Sequence, residues 1–105
     1  MYAGEPKPIR SDFADDPDMA ELVSEYVQRM PQRINAILSA YERNERDQLV
    51  RIVHQIKGSG GGYGFPLLSS AADKLERKLL ESPATLEQVS PEVQDLIHLC
   101  QRMAA

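Results

Sequence analysis

From Met19 to Tyr41 apolar residues return every three or four positions: Met19, Leu22, Val23, Tyr26, Val27, Met30, Ile34, Ile37, Leu38 and Tyr41. At about 100° per residue they all lie within about 80° of one direction, the stripe of an amphipathic helix. The stripe runs straight through Pro31, which removes a backbone hydrogen bond and crowds the carbonyl of Val27. A true break would scramble the phase, and the phase holds. The pattern therefore predicts one long, kinked helix over 17–43, with two separate helices as the alternative. Asp16 suits its N-cap and Pro17 its first helical position.

The same period continues downstream. After the turn "RNERD", Leu49, Ile52, Val53 and Ile56 mark the buried side of a second helix, and Gly60 extends that side by one turn. Glycine lowers helix stability by about 1 kcal/mol relative to alanine, so Gly60 to Gly62 weaken the end of this helix. "YGFP" makes the next turn. Pro66 opens a third helix carrying Leu68, Ala72, Leu75 and Leu79, with Ser82 and Pro83 ending it. Thr85 and Gln88 have the spacing of a capping box, and Ser90-Pro91 opens a last helix with Val93, Leu96, Ile97, Cys100 and Met103 inward. No stretch sustains alternation at period two. Four amphipathic helices joined by short loops close most simply as an all-α, antiparallel up-down-up-down four-helix bundle. Residues 1–16, with Gly4, Pro6 and Pro8, form an irregular N-terminal lead-in that Ile9 and Phe13 clip to the body, and 17–105 form the bundle.

Composition excludes several function classes. A net charge of −4 argues against a nucleic-acid partner, which ordinarily requires a basic face. A single cysteine, Cys100, gives neither a disulfide framework nor a thiolate metal cluster. No signal-like or membrane-spanning apolar run is present, so the expected setting is cytoplasmic, away from the membrane.

The chemistry concentrates at "HQIKGSGGGYGF", residues 54–65. With Leu49 at zero on the wheel, His54 falls near about 140°, on the outer face of its helix. Lys57 and Gly58 follow at the next turn and Gly61 one turn later, while Val50 is an apolar residue one turn before on an outward face. A neutral imidazole is a competent nucleophile at cellular pH, and a neighbouring ammonium stabilises charge arriving on a phosphoryl group. Glycines at i+4 and i+7 leave an uncrowded floor that a second protein can approach. An exposed histidine and lysine are also ordinary solvated side chains; the outward glycines beside them are what favour the functional reading.

His54, Lys57, Gly58 and Gly64 resemble the signature of histidine-containing phosphotransfer (HPt) domains. The stretch "EYVQRMPQRINAIL" and Leu75-Glu76 after Ala71 and Ala72 are similar to the family's flanking helices. The likeness spans about 17–103; Gly60-Gly61-Gly62 depart from it where the family often has alanine, serine or asparagine. The resemblance implies a phosphorelay carrier without autonomous catalysis, with His54 as phosphoacceptor through Nε2 and Lys57 stabilising the phosphoryl charge. Val50, Gly58 and Gly61 would form the docking surface for a response-regulator receiver domain, a hybrid histidine kinase, or both. It implies no cofactor on this chain, with Mg2+ supplied by the receiver; the chain's own four helices lead to the expectation of a monomer.

Rival readings are weaker. A phosphate-binding loop wants glycine-lysine-serine opening a helix after a strand, whereas Lys57-Gly58-Ser59 comes late in a helix. Tyr63 occupies the position of the third glycine in a dinucleotide fingerprint. A dimerising kinase domain needs two chains to complete a bundle, and four helices are already present here. The alternative that stays open is a non-phosphorylated helical interaction domain with His54 inert. His98 also points outward, among Gln94, Gln101 and Arg102, with no recognisable site. Asp73, Lys74, Glu76, Arg77 and Lys78 read as a solvated face, and Tyr63 and Phe65 as packing residues at the turn.

Overall fold

The computed structural model describes residues 7–81 and 85–105. Its elements in chain order are β1 (Ile9–Arg10), α1 (Ala20–Gln28), α2 (Met30–Glu42), α3 (Arg46–Gly62) and α4 (Pro66–Leu80). A 3-10 turn (Leu86–Val89), α5 (Ser90–Arg102) and β2 (Met103–Ala104) complete it.

The stripe through Pro31 reports a real continuity. Only Arg29 separates α1 from α2, and it keeps a right-handed helical backbone at φ −90° and ψ −1°. Its N–H reaches the carbonyls of both Glu25 and Tyr26, and its own carbonyl accepts from Arg33 N–H. Two rods thus join as one kinked helix, with Pro31 in the first turn of α2 where its missing donor is harmless. The start comes later than expected. Asp16 Oδ1 accepts from the Asp18 amide at 2.9 Å and the Asp16 carbonyl from the Met19 amide at 3.0 Å. Asp16 therefore organises a turn ahead of the helix, which begins at Ala20.

Helix α2 meets α3, α3 meets α4, α4 meets α5, and α5 meets α2, with α3 against α4 the most extensive of these contacts. That closed ring of neighbours is a four-helix bundle, and the short connections make successive helices antiparallel. Asn44 turns the chain between α2 and α3 in the left-handed region at φ 57°, while the Glu45 amide reaches back to the Ala40 carbonyl. Thr85 and Gln88 form the expected capping box. The expected stop of the third helix at Ser82 and Pro83 lies outside the described residues.

The core takes Ile37 from α2, Leu49, Val53 and Ile56 from α3, Leu68, Ala72 and Leu75 from α4 and Leu96 from α5, all fully buried. Phe65 closes the end of the bundle at the α3–α4 turn, also fully buried. Tyr63 and Tyr26 stack there with centroids 4.4 Å apart, so both aromatic residues of this turn are packing residues.

The lead-in is tied down at that same turn. Ile9 and Arg10 pair in parallel with Met103 and Ala104, bringing the two ends of the described chain together. Ile9 packs against the core, but Phe13 stays at the surface. The second attachment is Ser11, buried, whose hydroxyl donates to the Tyr63 carbonyl at 2.6 Å while the Asp12 amide donates to the Gly64 carbonyl at 2.8 Å. Gly64 has φ +84°, and a Cβ there would run into Ser11 Oγ and the Phe13 ring. The lead-in occupies the space that a side chain would take.

Candidate functional site

Helix α3 presents His54 outward, with 70% of its side chain exposed. The wheel had placed it there; it did not identify the partner. Glu76, from the middle of α4, brings Oε2 to 2.6 Å from His54 Nδ1, and only 10% of its side chain is exposed. A carboxylate can only accept, so in the neutral imidazole it favours the tautomer with the hydrogen on Nδ1 and the lone pair on Nε2. The second oxygen, Oε1, accepts from Lys57 Nζ at 3.3 Å. One buried carboxylate therefore orients the imidazole and holds the ammonium one turn farther along α3.

Lys57 has a second anchor: its Nζ lies 3.0 Å from Asp73 Oδ1. The Asp73 carboxylate first, and Glu76 after it, hold the Lys57 ammonium above the usual lysine range. Reciprocally, the hydrogen bond from Lys57 keeps the Asp73 carboxyl below the usual carboxylate range, with Arg77 assisting from 3.1 Å. The solvated face expected around Asp73 to Lys78 is thus only partly solvated. Glu76 is buried in the α3–α4 interface, because it lies one turn beyond Ala72 and one turn before Leu79, on the flank of the buried stripe. That flank position was the signal available in the sequence; a glutamate between two buried positions invites a search for a cationic or hydrogen-donating partner.

The glycines divide by surroundings. Gly60 is buried, and a Cβ on it would meet the Ser69 backbone nitrogen at 3.2 Å and Leu68 at 3.4 Å. Its absence of side chain lets α3 and α4 approach. Gly58 and Gly61 lie exposed along α3 beyond His54; a Cβ on Gly58 would have nothing within 4 Å, and one on Gly61 would touch Ser69 Oγ at 3.6 Å. Ser69 Oγ donates to the Lys57 carbonyl at 2.7 Å, a side-chain tie between the two helices at this level. On the other side, the Tyr26 hydroxyl shares a 2.7 Å hydrogen bond with Ser59 Oγ, linking α1 to the same stretch.

Val50 differs from its expected outward placement. It is half-buried, packs against the core, and lines a shallow groove with Arg46, Arg51, Leu79 and Leu80. At about 100° from Leu49 it sits on the flank of its helix, and α4 covers that flank. Leu80 is 65% exposed at the groove's rim. His98 is exposed on α5, away from these residues in sequence and element. Among the described residues, no group of three His, Cys, Asp or Glu side chains comes together as a metal site.

An exposed imidazole with a buried carboxylate on Nδ1 and a lysine one turn on sits in the middle of a match to the Hpt domain model over residues 21–105. The chain belongs to the Hpt domain family. Members of this family are histidine-phosphotransfer carriers of phosphorelays, acting as carriers rather than as catalysts. A search of the curated proteins finds no match. Among solved structures, the HPT domain from the Hpt sensor hybrid histidine kinase of Shewanella is similar, with a TM-score of 0.67 and 18% identity. The likeness covers 80% of this chain and 68% of that one, and at this identity it speaks to the fold. Within the described residues of this Hpt domain, no helix is long and apolar enough to cross a membrane.

Proposed function

We propose that His54 is the phosphoacceptor of this Hpt domain and exchanges its phosphoryl group with an aspartate of a response-regulator receiver domain. The observation that carries this reading is the 2.6 Å contact between Glu76 Oε2 and Nδ1 of a ring that is otherwise exposed. It leaves Nε2 unprotonated and pointing away from the carboxylate, which is the state a nucleophile needs.

In the forward step the Nε2 lone pair forms the N–P bond as the acyl O–P bond of the donor's aspartyl phosphate breaks. The bonding electrons leave on the donor carboxylate. The ring becomes cationic while its proton stays on Nδ1, where the Glu76 carboxylate offsets the charge. The return step reverses each of these changes. Lys57 pairs with the phosphoryl oxygens, and Gly58 and Gly61 leave room for the partner's active-site loops. Val50 adds an apolar contact at the edge of the docking surface. Because such transfer is mainly positioning and electrostatics, this chain carries the group without catalysis of its own. The receiver's acidic pocket supplies Mg2+, and the donor on the other side of the relay is a hybrid histidine kinase or a second receiver. The domain acts as a monomer in the cytoplasm.

The test is transfer from a phosphorylated receiver to the wild-type chain and to His54→Gln. Acid-labile, alkali-stable label on the wild type and none on the variant is the expected result. Label on the Gln variant would move the acceptor elsewhere, and receiver binding with no label on either protein would favour an inert interaction domain.

A further inference from the structure

Lys57 does not stand free beside His54. Its ammonium is shared between Asp73 Oδ1 at 3.0 Å and Glu76 Oε1 at 3.3 Å. Glu76 is already engaged with the imidazole. Asp73 is not; its other carboxylate oxygen pairs with Arg77 at 3.1 Å.

The antiparallel register says which way Asp73 pulls. Reading back along α4, Glu76 meets His54 and Lys57, Asp73 meets Lys57, and Ser69 reaches the Lys57 carbonyl and the space beside Gly61. Asp73 therefore lies level with Lys57, on the glycine-rich side of the His54–Glu76 pair. The ammonium it holds is engaged against α4, and a phosphoryl group on Nε2 must compete for it.

The geometry points to Asp73 as a positioning residue that draws Lys57 off the phosphoryl site and so sets how strongly the lysine stabilises phospho-His54. This rests on the assignment of His54 made above. With His54 free, the ammonium is compensated by two carboxylates. A phosphoryl group on Nε2 competes for it, and Lys57 must leave Asp73 to answer. Arg77 remains on Asp73, so the carboxylate keeps a cationic partner when the lysine goes. The net gain from the lysine is smaller than its charge alone would supply. The phosphoramidate stays high in transfer potential, which suits a group meant to be passed on.

The exchange can be measured without a protein partner. N-phosphoimidazole gives its phosphoryl to His54 Nε2 as its own N–P bond breaks, releasing imidazole, and 31P NMR reads the equilibrium ratio. Asp73→Asn should raise the equilibrium constant toward phospho-His54 about two- to five-fold, the range of one exposed ion pair. Asp73→Glu should return most of the way to wild type. Lys57→Met should lower the constant, and adding Asp73→Asn to it should then change nothing. An unchanged constant in Asp73→Asn, or an equal rise in the Lys57→Met background, would overturn the role given to Asp73. His54→Gln serves as the blank. A phosphohistidine signal from it would overturn the His54 assignment itself, whereas a silent blank with an unresponsive Asp73→Asn would remove only the Asp73 proposal.

Discussion

Glu76 Oε2 lies 2.6 Å from His54 Nδ1, joining a nearly buried carboxylate on α4 to an exposed imidazole on α3. The pair decides which ring nitrogen is free, and the most direct consequence concerns Glu76. Glu76→Ala leaves Nδ1 to water, so 15N NMR should show the Nε2–H tautomer gaining population. Phosphoryl uptake on His54 should fall by about tenfold, the low end for a hydrogen bond to a charged group because the ring is exposed. Glu76→Gln keeps an acceptor for Nδ1–H and should keep the tautomer while losing part of the rate. An unchanged tautomer in the alanine variant would remove Glu76 from the mechanism.

Gly58 and Gly60 on α3 should respond in opposite senses to alanine. A Cβ at Gly58 meets nothing within 4 Å, so Gly58→Ala should gain helix stability, about 0.5–1 kcal/mol, with a Tm rise of about 2–8 °C. The same variant should transfer phosphoryl to a receiver more slowly, because the added methyl lies on the proposed docking face. At Gly60 the Ser69 backbone at 3.2 Å should erase that gain or reverse it. Thermal melts and receiver transfer rates on the two variants separate the roles. A slower transfer in Gly60→Ala but not in Gly58→Ala would reverse the assignment.

Gly64 is the hinge of the lead-in. At φ +84° and with Ser11, Asp12 and Phe13 against it, Gly64→Ala should lose about 1–3 kcal/mol. Hydrogen exchange should show the Asp12 amide opening first, since its bond to the Gly64 carbonyl ends at the altered residue. Equal protection of Asp12 in the variant would show that the lead-in is held elsewhere.

Burial pushes the Cys100 thiol up to about 11. The folded state therefore keeps its proton at pH values where the unfolded chain has already lost it, so stability falls as pH rises from about 9 to about 11. The span corresponds to about 2–3 kcal/mol. Cys100→Ala should flatten that part of the alkaline limb, leaving the contributions of Tyr26, raised by burial, and of Lys57. Urea melts at stepped pH read the difference, and an identical limb in both proteins would exclude the thiol as its source.

The site was legible in part. The helix, the outward position of His54 and the turn-spaced Lys57 and Gly58 follow from one helix's own wheel, as does the burial of Gly60. Glu76 belongs to a different helix, and its charge assigned it to a solvated face along with Asp73. Val50 likewise lies deeper than its outward wheel position implied, because the wheel cannot say which flank a neighbouring helix covers.

What the sequence alone determined is everything governed by local periodicity: four amphipathic helices, a kink that Pro31 permits without losing phase, and an imidazole facing out. These follow because a 3.6-residue repeat places side chains relative to their own helix axis. The register between α3 and α4 was decided only in the tertiary structure. It is fixed by how closely Gly60 lets Ser69 approach and by the burial of Phe65 and Leu68, and it is what brings Glu76 and Asp73, some twenty residues downstream, onto His54 and Lys57. A histidine can be read as exposed from one helix; that it is held, tautomer chosen and lysine restrained, takes two.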